Sequence, residues 1–367
     1  MVNWVEAQKP LIHWLVRGAG LRRKIIEIEP GTTMAMWVPK HKDSRGSNRA
    51  EVVVPEDKSA CVNGRHGDED GKKKKKKTKK RRKEKEKEKP AVVLVHGFAA
   101  EGLETWQFQF GVLVSQYDVY IPDLFFFGGS STASADRSPG FQARCLSAAL
   151  DELGVRRCTA VGFSYGGMVA FKMAEHRPDL VRSLVISGSV FAMTDSISRA
   201  TLDQLGFASS SELLMPESVK GLKALLSISM HKKLWFPNFL YKDFLEVMFT
   251  NRKERKELLE GLLISNKDSK VPSLDQRILL LWGENDNLFN LEFAKDMKEQ
   301  LGENTTLEVI KKAGHLLHIE RPCVYNRHLK KFLSVVQAAE AEAKQRQRQR
   351  NEQTPDLFYY SVIKFVN

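Results

Sequence analysis

The stretch Val161-Gly162-Phe163-Ser164-Tyr165-Gly166-Gly167 decides how this chain is read. It continues an apolar run, Cys158-Thr159-Ala160-Val161, of the kind that forms a buried strand. Beyond it, residues 168–176 carry a helical pattern. A serine with a glycine two residues away on each side fits a sharp strand-to-helix turn. The glycines leave room for neighbouring chain, while the serine must accept an uncommon backbone conformation. A hydroxyl presented at a helix N-terminus is useful only if the chain also supplies a base and an acid.

Outward from that turn, strands and helices alternate. Apolar runs at 91–95, 117–121, 180–187, 277–282 and 306–310 predict strands. Helical patterns fall at 104–115, 139–153, 291–300 and 322–336. Such alternation implies a mostly parallel sheet with helices on both faces. Residues 191–269 differ: they read as helical throughout, broken at Pro216, Gly221 and Pro237, and rich in apolar and aromatic residues. This block is expected to be a lid inserted after the sixth strand, at the sheet edge where open α/β folds place their sites. The core then comprises 91–190 and 270–337.

Residues 1–39 supply a leading helix and a hairpin, the latter at 24–29 and 33–38 around Pro30-Gly31. Trp4, Leu11, Trp14 and Leu15 are the helix's apolar positions. They are expected to pack on the main domain, a membrane-surface helix being the alternative. Residues 338–367 are expected to be a polar C-terminal extension ending in an apolar run at 357–363.

Composition bounds the function. Hydrophobic residues make up 42% of the 367 and charged residues 28%, as in a globular protein. The net charge of +13 belongs mostly to one segment. Residues 40–90 hold 20 Lys or Arg and 10 Asp or Glu, against 38 and 35 in the remainder. The folded part is therefore not expected to be a nucleic-acid-binding domain. Residues 40–90 cannot bury enough apolar surface to offset their ordering entropy and are expected to be disordered. Contact with nucleic acid or an acidic surface is expected only through the run from Lys72 to Lys89. No apolar run reaches the length of a membrane span, and the four cysteines form no close pair. An intracellular, cytoplasmic location is expected, with the nucleus open through the Lys/Arg run.

Partners for Ser164 come from two loops. Gly283-Glu284-Asn285-Asp286 closes a strand with two acids, and Gly314-His315-Leu316-Leu317-His318 follows the last strand with two histidines. Glu284 competes with Asp286, and His318 with His315. Asp123, at the end of the 117–121 strand, is a reserve acid. His96 reads as structural, and Phe125-Phe126-Phe127 as pocket or lid packing. The order Ser164, Asp286, His315 separates this chain from chymotrypsin-like and subtilisin-like arrangements.

With these motifs the chain resembles the α/β-hydrolases, near the branch holding meta-cleavage-product hydrolases, epoxide hydrolases and related plant members. The resemblance spans residues 91–336 and rests on His96-Gly97, the Ser164 turn, the Asp286 loop and Gly314-His315 before Glu320-Arg321-Pro322. It implies an α/β-hydrolase fold with a mostly parallel eight-stranded sheet. It also implies that Ser164 is the nucleophile, His315 the base and Asp286 the acid. The backbone N–H groups of Phe98 and Tyr165 would form the oxyanion hole.

Epoxide hydrolases place aspartate where this chain has Ser164, so the resemblance implies acyl transfer to water. The expected function is hydrolysis of a carboxylic ester or related acyl substrate, small and hydrophobic or aromatic, with no metal or organic cofactor. Two alternatives stay open: a C–C bond hydrolase, and a ligand receptor on the same fold with little turnover.

Overall fold

The computed structural model describes residues 3–41 and 89–353. Residues 42–88, with nearly all of the basic run from Lys72 to Lys89, and the terminal run 357–363 lie outside the described residues.

The main sheet is built from β1 (Leu21–Glu29), β2 (Thr32–Pro39), β3 (Ala91–Val95), β4 (Asp118–Pro122), β6 (Cys158–Phe163), β7 (Val181–Ser187), β10 (Arg277–Gly283) and β11 (Thr305–Ile310). A two-residue strand, β5 (Ser131–Thr132), joins the side of β2. The order across the sheet is β1-β2-β4-β3-β6-β7-β10-β11. β1 and β2 form an antiparallel hairpin, β2 meets β4 antiparallel, and every junction from β4 to β11 is parallel. This is an α/β-hydrolase sheet.

Parallel strands need both faces covered, and period-two alternation divides their side chains between two cores. Val93, Val95, Ala160, Leu184, Ile186 and Leu280 point into one cluster. It also contains residues of α4 (Pro139–Glu152) and α5 (Tyr165–His176). Val92, Leu94, Val161, Val185, Leu279 and Leu281 point into the other. There they meet Val16 of α1 (Trp4–Gly18) and Tyr325, Leu329 and Leu333 of the last helix, Pro322–Gln353.

Two expectations are corrected here. The 104–115 stretch is not one helix but two short turns, α2 (Gly102–Thr105) and α3 (Phe110–Leu113). Tertiary contacts override its helical pattern: the buried Trp106 ring lies 5.2 Å from that of His318, and Gln109 Nε2 donates to His318 O at 3.0 Å. Likewise α1 does not bury Trp4, Leu11, Trp14 and Leu15, which remain exposed. It packs instead through Val5, Ile12 and Val16, with His13 against the Trp37 ring.

Between β7 and β10 runs an insertion of five helices: α6 (Asp195–Leu205), α7 (Ser210–Leu214), α8 (Val219–Ser229), α9 (Asn238–Met248) and α10 (Arg252–Gly261). Side-chain oxygens of Thr194, Ser209 and Ser218 cap α6, α7 and α8 by accepting from first-turn N–H groups. The all-helical reading misses one detail. Two short strands at the root, β8 (Met193–Thr194) and β9 (Leu263–Ile264), pair in parallel.

The insertion is tied to the core by Arg255, which is 1% exposed and meets no carboxylate among its hydrogen-bond partners. Its guanidinium donates to the carbonyls of Phe126 and Met248 and lies 4.1 Å over the Phe127 ring. Burial holds its pKa down to about 10. Asn251 Nδ2 also donates to Phe126 O, at 3.0 Å. The Phe125-Phe126-Phe127 run thus anchors the insertion. Replacing Arg255 by alanine removes the side-chain donor to Met248 O, leaves Phe126 O with Asn251 alone, and empties the space over the Phe127 ring. Arg255→Ala is expected to lower unfolding free energy by about 3 kcal/mol, read from urea denaturation midpoints.

Candidate active site

Ser164 stands between β6 and α5 with φ 52° and ψ −122°, a strained conformation for a residue with a side chain. Close approach of backbone enforces the turn. A Cβ on Gly166 would lie 2.3 Å from His96 O, and one on Gly162 would lie 2.6 Å from Gly166 O. Ser164 N–H donates to Ser187 O at 2.9 Å, which seats the turn on the end of β7.

The acid and the histidine arrive from the ends of β10 and β11. Asp286 is buried, and its Oδ1 accepts from the N–H groups of Leu288 and Phe289, each at 2.9 Å. Its Oδ2 is left for His315 Nδ1, 2.9 Å away. That pairing puts a proton on Nδ1 and leaves Nε2 as the free acceptor. The rings of His315 and Phe163, the residue before Ser164, lie 4.9 Å apart. Gly188 joins the three groups: it follows Ser187, and a Cβ there would lie 2.8 Å from His315 Nδ1 and 3.1 Å from Asp286 Oδ2.

The loop after β3 closes the other side. His96 Nε2 accepts from Leu124 N–H at 2.9 Å, so its Nδ1 carries the proton and donates to Gly97 O at 2.6 Å. Burial pushes its pKa down to about 4, consistent with a neutral structural ring. A Cβ on Gly97 would touch the Phe163 ring at 2.8 Å and Ser164 Cβ at 3.3 Å, so this loop rests directly on the turn. Among the described residues, neither Phe98 N–H nor Tyr165 N–H has a backbone acceptor.

Comparison with known proteins decides the family. Residues 90–322 match the family model described as alpha/beta hydrolase fold. The chain belongs to that family. It is 26% identical over 249 residues to the dihydrolipoyllysine-residue acetyltransferase component of an acetoin cleaving system from Cupriavidus necator. That match covers 66% of this chain and 63% of the relative, so the chain spans less than two thirds of that protein. It is 25% identical over 257 residues to a 2-hydroxy-6-oxononadienedioate/2-hydroxy-6-oxononatrienedioate hydrolase from a Pseudomonas species, covering 66% and 87%. Among solved structures, a putative lipase from Acinetobacter baumannii superposes with a TM-score of 0.66 at 21% identity, covering 90% of this chain and 97% of that one.

Other sequence candidates in this α/β-hydrolase sit elsewhere. Glu284 turns away and accepts from Lys312 N–H at 3.2 Å. His318 is fully buried against Phe163, Trp106 and Tyr325, and burial, helped by nearby His315, pushes it down to about 3. Asp123 does not reach His315. Its carboxylate accepts from Gly102 N–H at 3.1 Å and meets Arg23 at 3.3 Å. Burial nevertheless raises it to about 7, outweighing the pull of Arg23.

Three contributors were missed from the sequence. Gly188 was readable only as a glycine after a strand. Ser130 links Asp123 O to Ala35 N–H, and nothing in its local pattern marks it. In the sequence Glu320 stands only as part of the Glu320-Arg321-Pro322 run. Its carboxylate accepts from the N–H groups of Gly314, His231 and Lys232, joining the His315 loop to the insertion.

A narrow cavity of about 70 Å³ opens at Ser164 between core and insertion. Phe98, Met168, Leu202, Leu213 and Leu288 are among its lining residues.

Two outcomes follow from this geometry. Gly188→Ala forces a methyl group onto the His315–Asp286 pair at φ +50°, and is expected to cut any Ser164-dependent turnover by about 100-fold. Initial rates, beside a melting curve that verifies folding, check this. Although paired with Arg23, Asp123 makes a pH-dependent contribution opposite in sign to that of a carboxylate whose pKa folding lowers. The unfolded chain releases this proton near 3.8 and the folded chain near 7, so stability falls as pH rises between those values. Wild type is expected to lose stability relative to Asp123→Asn across that window, measured by denaturation at several pH values.

Proposed function

We propose that the chain is a serine hydrolase that cleaves a carboxylic ester or related acyl substrate through an acyl-enzyme. What supports this reading is the strained turn that sets Ser164 at the start of α5, together with the His315–Asp286 pair, whose imidazole lies 4.9 Å from the ring of Phe163, the residue before Ser164. In this mechanism His315 Nε2 takes the Ser164 proton as Oγ attacks the substrate carbonyl. Asp286 orients the ring and stabilises its charged form. The N–H groups of Phe98 and Tyr165 hold the developing oxyanion, donors of a kind that typically lower such barriers by about 3 kcal/mol each. His315 returns the proton to the leaving alcohol, then activates water to release the acid.

The insertion acts as a lid in this reading. Its apolar side chains over Ser164 support a hydrophobic acyl or aromatic group in the substrate. A second reading is a C–C bond hydrolase, for which the Pseudomonas relative is the supporting observation. There the same serine attacks a ketone, and carbon rather than oxygen leaves.

A fluorophosphonate probe and a series of nitrophenyl esters of increasing acyl length test the proposal. Wild type is expected to be labelled, and Ser164→Ala to lose both labelling and about 10⁴-fold of the ester turnover. Equal labelling of the two proteins would remove Ser164 from the nucleophile's role. Turnover of a vinylogous diketone without ester turnover would favour the second reading.

A further inference from the structure

On α1, residues Trp4, Ala7, Leu11, Trp14, Leu15 and Gly18 are exposed, and no charged residue falls among them. At helical spacing they occupy a single arc of about 100°, opposite the arc of Val5, Ile12 and Val16 that packs on the core. An amphipathic helix normally shows water its polar side. This one has a second apolar side, and the described residues leave it uncovered.

The insertion, which meets α1 through α9, carries exposed apolar residues of its own. Asp243 of α9 caps α1, its Oδ2 accepting from Trp4 N–H at 2.8 Å and its carbonyl from Asn3 Nδ2 at 3.3 Å. One turn earlier on α9 stands Phe239, and before α9 comes the exposed segment His231-Lys232-Lys233-Leu234-Trp235-Phe236. Trp4, Trp14 and Trp235 are 57%, 68% and 81% exposed. The segment is held outward rather than left loose. Glu320 accepts from the N–H groups of His231 and Lys232, and Tyr241 OH donates to Leu234 O and accepts from Phe236 N–H.

We propose that this surface docks on a bilayer containing anionic phospholipid. Tryptophan side chains favour the headgroup level, where the ring is buried and the indole N–H stays wet. Lys232 and Lys233, at the rim of the apolar surface, meet lipid phosphates there. No described helix is long and apolar enough to cross a membrane, so the contact is with the surface. Docking in this way sets a bilayer beside the His315 loop, whatever chemistry Ser164 performs.

The test is co-sedimentation of the full-length chain with phosphatidylcholine vesicles, with and without one-third phosphatidylserine. The variants are Trp4→Ala/Trp14→Ala/Trp235→Ala together, Lys232→Ala/Lys233→Ala together, and a chain with residues 72–89 replaced by a Gly/Ser linker. The exposed sites let the triple variant keep the wild-type melting temperature. Wild type is expected to bind the anionic vesicles, and the triple variant to partition about tenfold more weakly or worse. The lysine variant is expected to lose most of the preference for phosphatidylserine. Binding unchanged in the triple variant overturns the proposal, as does binding lost only when 72–89 is replaced. Self-association in analytical ultracentrifugation that the triple variant abolishes, without vesicle binding by wild type, assigns the surface to a second copy and also overturns it.

Discussion

The site depends on one contact between backbones, where α5 starts against the ends of β3 and β6. Gly162 and Gly166 let the helix approach to a separation that no Cβ permits. That approach leaves Ser164 no relaxed conformation and aims its side chain away from the sheet. It also rests the His96-Gly97 loop on the turn, where a Cβ on Gly97 would lie only 3.3 Å from Ser164 Cβ. Everything further out is placed relative to this crossing: the end of β7 through Ser187, and the His315–Asp286 pair through Gly188. Parallel pairing of β3, β6, β7, β10 and β11 delivers these loops to one edge of the sheet.

Around that crossing, burial shifts ionisable groups away from their charged forms. His96 and His318 are pushed down to about 4 and about 3, and Asp123 is pushed up to about 7. Arg255 has carbonyls and an aromatic face for company rather than an acid. His96 and His318 serve as neutral structural pieces, while Arg255, at about 10, keeps its charge at neutral pH, and His315 and Asp286 face each other buried from solvent. A low-dielectric environment of this kind strengthens the interaction of the pair.

The strand–helix alternation was legible because parallel strands buried on both faces read as continuous apolar runs, as in β3, β6 and β10. The hairpin was legible from Pro30-Gly31. Asp286 and His315 were legible as residue types in loops after strands, but choosing Asp286 over Glu284 took a resemblance, since spacing alone offers both. What the sequence hid is tertiary. Trp106 and Gln109 break a helical pattern because they anchor to His318. Gly188 matters only because two other loops arrive beside it. The outward Trp4 and Trp14 have the apolar character of core residues, and only the packing of the opposite arc reveals which side faces inward.

Glu320 gives the molecule a mechanical property. A single carboxylate grips the backbone of Gly314, one residue before His315, and that of His231 and Lys232, just past the end of α8. Leu316 N–H adds a bond to Ser229 O at 3.0 Å. The outer surface and the buried histidine are therefore joined through Glu320. The exposed aromatic segment and the loop that carries the imidazole share one anchor, so the backbone position of each is fixed against the same carboxylate.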